Sequence, residues 1–162
     1  MKLIKELLKV YAVFVAIFFI GRVFFYLIYF DRLSDISLNE SLLTFIFGLR
    51  MDTIVISIIL VIPAIFLALT PKIFSKFISK FLYFYILLFI VIALFIESAS
   101  FPFFAQYDLK PNYLFIEYLE YPKEVTSLLF KDYKLEFIFA SILIFLVSKI
   151  YLKLNFINFN KV

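Results

Sequence analysis

The stretch Leu42–Leu69 reads LLTFIFGLRMDTIVISIILVIPAIFLAL, and its reading decides the fold class. About 20 residues of α-helix cross the roughly 30 Å hydrocarbon layer of a bilayer, and this run exceeds that length. It carries two charges, Arg50 and Asp52. Three further apolar runs lie at about residues 10–30, 81–96 and 135–152. The 162 residues are 65% hydrophobic, where a soluble domain has about 45–50%. Mean hydropathy is +1.08. The expectation is an all-α integral membrane protein, one membrane domain over residues 1–162 with four transmembrane helices. The fourth run is the shortest, with Glu136 and Lys149 at the ends of its apolar stretch. Such end charges reach toward the interface.

Charge distribution predicts the orientation. Lys2, Lys5 and Lys9 precede the first span, and Lys149, Lys153 and Lys161 lie in the last span and tail. Lys72, Lys76 and Lys80 fill the second loop without an acid. The first loop carries Asp31, Arg32, Asp35 and Glu40, and the third mixes Lys110, Lys123, Lys131 and Lys134 with six acids. Basic and mixed segments alternate in step with four spans, which predicts that both termini are cytoplasmic. The basic start followed by a long apolar run reads as an uncleaved signal anchor.

The loops have patterns of their own. Ser37-Leu38-Asn39-Glu40 fits a capping box, so the second helix is expected to begin before its apolar run. Thr70-Pro71 suits an N-cap and first helical position. With Lys72, Lys76 and Lys80 on one side and Ile73, Phe74, Phe77, Ile78 and Phe81 on the other, residues 70–80 read as an interfacial amphipathic helix feeding the third span. In the extracytoplasmic segment 97–134, Pro111 is placed to start a helix through Glu120, and Pro122 another through Phe130. These helices either lie on the outer leaflet or pack on the bundle.

Chemistry is limited by what is absent. The chain has no Cys and no His. That removes thiol nucleophiles, Cys/His zinc sites and a histidine base. Its two glycines form no phosphate-binding loop. Neither a catalytic constellation nor a metal or cofactor is expected, and the clustered lysines point to headgroups rather than to nucleic acid.

The residues that demand explanation are charges inside apolar runs. The chain has three arginines against thirteen lysines, and two of the three, Arg22 and Arg50, lie within spans. A charge at the bilayer centre costs about 2.5–3.5 kcal/mol on insertion scales. Side chains lean toward the N-terminus of their helix. In the outside-to-inside second span that lean takes Arg50 to the outer headgroups, while the shorter Asp52 sits deeper. In the first span it takes Arg22 toward the membrane centre. The two helices are antiparallel and joined by a short loop, so Arg22 is expected to pair with Asp52. Three readings stay open: an ion pair that fixes helix register, a lipid-headgroup pocket of Arg22, Arg50, Asp52 and Glu97 with Ser98 and Ser100 beside it, or a proton or ion pathway. Only one acid lies clearly in the core.

The string Gly48-Leu49-Arg50-Met51-Asp52 resembles the Gly-Leu-Arg-Phe-Asp of the second span of lipoteichoic acid synthase-like proteins. These are phosphoglycerol transferases and sulfatases of the alkaline phosphatase superfamily. Phe103-Phe104-Ala105-Gln106-Tyr107-Asp108-Leu109-Lys110-Pro111-Asn112 is similar to their segment after the third span. So is Phe115-Ile116-Glu117-Tyr118-Leu119-Glu120-Tyr121-Pro122-Lys123-Glu124-Val125. The likeness covers roughly residues 45 to 135 in the family's order. It implies five spans and a large extracytoplasmic catalytic domain, with a threonine nucleophile and a divalent metal site. The chain stops after four spans and holds none of those catalytic residues. The resemblance therefore implies a membrane-anchoring part, encoded as a truncated or split product without catalysis of its own. Its expected partners are membrane phospholipids and a separately encoded catalytic domain. The rivals are a free-standing structural or assembly protein, and a small transporter or channel subunit. A transporter would be expected to show internal repeats or matched broken helices, and neither is found.

Overall fold

The computed structural model describes residues 2–33 and 37–154. Asp35 of the first loop and Lys161 of the tail lie outside them. All regular structure among the described residues is helical. Four helices are long and apolar enough to cross a membrane: Ile4–Ile28, Leu38–Leu69, Ser75–Tyr107 and Lys134–Leu154. Two compact units divide the chain, one mainly Met1–Ile90 and the other Val91–Lys153.

In the first unit, α1 (Lys2–Ile28) is followed by the single turn α2 (Phe30–Leu33) and by α3 (Leu38–Leu69). The start of α3 is fixed by the capping box. The Ser37 hydroxyl accepts from the Glu40 N–H (3.3 Å), and the Glu40 carboxylate accepts from the Ser37 N–H (3.0 Å). Two orphan donors at the helix end are thereby satisfied. α1 and α3 are antiparallel and joined by aromatic edges, with Phe19 and Tyr26 against Phe45 at 5.9 and 6.1 Å.

The unit's core is a stripe from each of three helices. Val10 and Phe14 come from α1, Ile56 and Pro63 from α3, and Leu82 and Ile86 from the first half of α4 (Ser75–Tyr107), all essentially without exposure. Their spacings of four and seven residues place each set on one helix face. The opposite faces carry exposed Ile58, Ile65, Phe77 and Leu88. Among lipid tails such contacts gain little from the hydrophobic effect, so dispersion and interhelical hydrogen bonds hold the bundle.

One such bond repairs a fault in α3. Pro63 has no N–H for the carbonyl of Ile59, four residues earlier. The Tyr85 hydroxyl of α4 donates to that carbonyl at 3.1 Å. α3 continues as one helix through Pro63.

Several boundaries differ from the expected ones. Thr70 is not an N-cap. It ends α3, its N–H donating to Phe66 O at 3.0 Å. A 3₁₀ turn, Lys72–Phe74, follows, and residues 75–80 are the first turns of α4 itself rather than a separate helix. The third span is expected to stop at residue 96, but α4 continues to Tyr107, through Glu97 and Pro102. The helix runs unbroken through the polar residues at 97–100, where the Ser100 hydroxyl folds back onto Ile96 O at 2.9 Å. Asp108, in the left-handed region (φ 53°), ends it, with its N–H on Phe104 O at 2.9 Å.

In the second unit the last part of α4 is followed by α5 (Tyr113–Leu119), α6 (Pro122–Lys131) and α7 (Lys134–Leu154). α5 begins at Tyr113 rather than Pro111. Asn112, a favoured capping residue, accepts the first helical bond from the Phe115 N–H at 3.1 Å. Pro122 does start α6, as its spacing predicts.

Candidate functional site

Several polar groups of α1 and α3 lie on the faces these helices turn to each other. Two hydroxyl contacts set the register. Tyr11 meets the Thr53 hydroxyl at 2.9 Å, and Tyr26 meets the Ser41 hydroxyl at 3.3 Å. The Thr53 proton goes to Leu49 O at 2.8 Å, so Tyr11 is the donor in the first contact. Between these contacts lies Arg22. Its side chain runs back along α1, as a helical side chain does, and ends on Asp52. Nη2 donates to both carboxylate oxygens, at 2.9 Å (Oδ1) and 2.8 Å (Oδ2).

The guanidinium reaches Asp52 by crossing α3 at Gly48, one helical turn before it. A Cβ on Gly48 would lie 2.5 Å from Arg22 Nε and 2.6 Å from Nη2, and would meet Cζ as well. Gly48 therefore keeps the path of the guanidinium open. Each side chain of the pair is 13% exposed. The geometry is not the two-nitrogen fork that Arg makes at its strongest. One nitrogen serves both oxygens, and Nη1 is buried without a partner among the described residues.

The other expected site residues fall elsewhere. Arg50 is exposed. It stands two residues from both Gly48 and Asp52, which turns it to the far side of α3. Glu97 belongs to the second unit, is half-buried on α4, and has an interaction partner of its own. Ser98 lines a cavity of that unit, and Ser100 is buried with its hydroxyl bonded within its own helix. What gathers is thus Arg22 with Asp52, flanked by Gly48.

Sequence reasoning used Gly48 only as one letter of a string. The signal for its role was present: it lies four residues before Asp52, on the same face, in a chain with two glycines. The hydroxyl partners Tyr11, Tyr26, Ser41 and Thr53 left no comparable mark. Among the described residues no group of three or more acidic, His or Cys side chains gathers to hold a metal. Chemically, the arrangement neutralises two charges and fixes the α1–α3 register, while Arg50 presents a free face of α3. No family model and no solved structure matches this chain.

Proposed function

We propose that this chain is the membrane-anchoring part of a phosphoglycerol transferase or sulfatase-like protein. In this reading both termini face the cytoplasm of a bacterial inner membrane, and α5 and α6 lie on its outer side. Residues 75–80 then carry Lys76 and Lys80 to anionic headgroups on the inner side. One observation carries the reading. Gly48 and Asp52, the first and last residues of the string that resembles lipoteichoic acid synthase-like proteins, both meet Arg22. The string is then a device for seating an arginine from the first span on the second. The residue between them, Arg50, is turned away and left for a phosphate headgroup. The Arg22–Asp52 pair holds the helix that presents it.

The experiment is lipid retention. The purified chain is expected to keep phosphatidylglycerol, and Arg50→Gln to lower that retention about fivefold, the equivalent of roughly 1 kcal/mol for one cation at a lipid surface. Unchanged retention would remove the headgroup site. Metal-dependent release of glycerol phosphate from phosphatidylglycerol by the chain alone would overturn the anchoring role.

A further inference from the structure

The second unit holds a cavity of about 120 Å³ whose walls are rich in aromatic rings. Phe103 and Tyr107 come from α4, Phe115 from α5, and Phe137 from α7, with Tyr133 just before it. Four-residue spacing puts Phe103 with Tyr107, and Tyr133 with Phe137, on one side of their segments. Tyr133 is tied to α7 by its carbonyl, which accepts from the Phe137 N–H at 2.9 Å. The rings also fix one another. Phe103 and Tyr107 lie 4.8 Å apart between centroids, and Phe115 stands at 86° to Phe103 at 5.6 Å. Two rings at a right angle make a corner rather than a flat wall. Phe103 is buried, and Phe115, Tyr133 and Phe137 are half-buried. The lining residues Gln106, Tyr107 and Glu136 are exposed, which leaves the cavity open at that end.

Size and chemistry select the occupant. An apolar cavity of about 150 Å³ takes up benzene, so this slightly smaller one suits a group of about five heavy atoms. No lysine or arginine lines it, and its one charged lining residue is an acid, Glu136. Segment 97–134 carries four lysines against six acids, in a chain whose net charge is +4. This part of the protein therefore disfavours anions. Aromatic faces are the negative side of the ring quadrupole and attract a cation within about 6 Å of the centroid. A primary ammonium brings N–H donors that need acceptors, and ring faces offer none of ordinary strength. Of the lining hydroxyls, that of Ser141 is turned back onto Phe137 O at 2.8 Å. A trimethylammonium group has no N–H and spreads its charge over its methyl groups.

We propose that this cavity is an aromatic cage for a trimethylammonium group, supplied by choline or by a choline-headed lipid. The rings of Phe103, Phe115, Tyr133 and Phe137 hold the cation. The exposed Glu136 adds only a screened charge of favourable sign at the opening. The site is independent of the phosphate reading for Arg50, which belongs to the first unit.

The test titrates choline into the full chain in an uncharged detergent and reads saturation transfer to the trimethyl protons. The neutral carbon isostere, with tert-butyl in place of trimethylammonium, should bind at least about tenfold more weakly, because it gains no cation–π attraction. Phe103→Leu and Tyr133→Leu each remove one ring and should weaken choline about fivefold, the equivalent of roughly 1 kcal/mol. Tyr133→Leu, at a half-buried position outside the helices, decides the matter if Phe103→Leu does not fold. Tyr121→Leu removes an exposed ring outside the lining and should leave binding unchanged. Nanodiscs of phosphatidylcholine and of phosphatidylethanolamine then distinguish the sources. Weaker choline binding in phosphatidylcholine assigns the cage to the lipid headgroup, and equal binding assigns it to free choline. A parent chain without a saturable choline signal would overturn the cage. So would an isostere that binds as well as choline, or binding unmoved by both ring variants.

Discussion

Removing one member of the Arg22–Asp52 pair should destabilise the α1–α3 unit far more than removing both. Asp52→Asn keeps the shape and deletes the charge. It leaves a guanidinium that is 13% exposed and whose Nη1 already has no partner among the described residues. Breaking a buried pair from one side costs about 3–5 kcal/mol. The residual exposure and the single-nitrogen geometry place this pair near the lower limit, at about 3 kcal/mol. Arg22→Gln should cost a similar amount, because Asp52 is then the buried charge without a partner. The double variant Arg22→Leu with Asp52→Leu removes both charges, and apolar replacement of a buried pair is typically neutral or stabilising. Some of that gain is offset by the space over Gly48, which Leu fills less fully than Arg. The double variant should therefore lie within about 1 kcal/mol of the parent protein. Reversible unfolding in mixed lipid–detergent micelles, read by a distance reporter between α1 and α3, measures all four corners of the cycle. The swapped pair, Arg22→Asp with Asp52→Arg, should recover part of the loss. Recovery is incomplete because Gly48 clears a path for an arginine arriving from α1, and an aspartate there is too short to use it. Two results refute the reasoning: single variants that cost under about 0.5 kcal/mol, or a double variant that costs the sum of the singles.

Gly48→Ala should push the guanidinium off Asp52; the atoms it meets end a flexible side chain, so the cost is about 1 kcal/mol, and it should vanish in an Arg22→Leu background. Tyr85→Phe keeps the ring packed on Phe89 (4.7 Å) but leaves Ile59 O without its donor, at about 1 kcal/mol. In a Pro63→Ala background the helix supplies that donor, and the same cycle of unfolding measurements should show the Tyr85 effect disappear. Ser37→Ala breaks the capping box, and amide exchange at Glu40 should speed up by about fivefold, for a local loss of roughly 1 kcal/mol.

How far the sequence goes toward this structure depends on whether a feature is local. The four long helices follow from apolar length alone, and the start of α3 follows from four consecutive residues, Ser37 to Glu40. The partnership of Arg22 with Asp52 is legible too, because side-chain lean has a fixed direction in each helix and two antiparallel helices turn those directions toward each other. The end of the third span is misread for an instructive reason. Glu97, Ser98 and Ser100 mark a change in polarity, and polarity reports where a segment prefers to partition. Helix continuation is a question about backbone hydrogen bonds, and a small polar side chain does not prevent it: Ser100 stays in the helix and turns its hydroxyl back onto Ile96 O. Thr70-Pro71 fails in the same way. Those residues have the right chemistry for a helix start, but the preceding helix uses the Thr70 N–H as its last donor.

The features that stay out of reach are relations between helices. Pro63 in the sequence is a defect in α3, and nothing in α3 says how the Ile59 carbonyl is satisfied. The answer is a hydroxyl on another helix, at Tyr85, one of eleven tyrosines that look alike in the sequence. Gly48 is the converse case. A glycine within a helix is unfavourable by about 1 kcal/mol against alanine, so its presence in α3 calls for a compensating use. That use appears only when the register of α1 on α3 brings the Arg22 side chain across it. A buried charge and a helix-interior glycine each read as a liability alone. Together, four residues from an aspartate on the same face, they specify one another: the glycine opens the path, the arginine fills it, and the aspartate ends it. The same reasoning separates Arg50 from Arg22. Both are arginines within apolar runs, but only one has a path across a neighbouring helix, and the one without it is exposed on the opposite face.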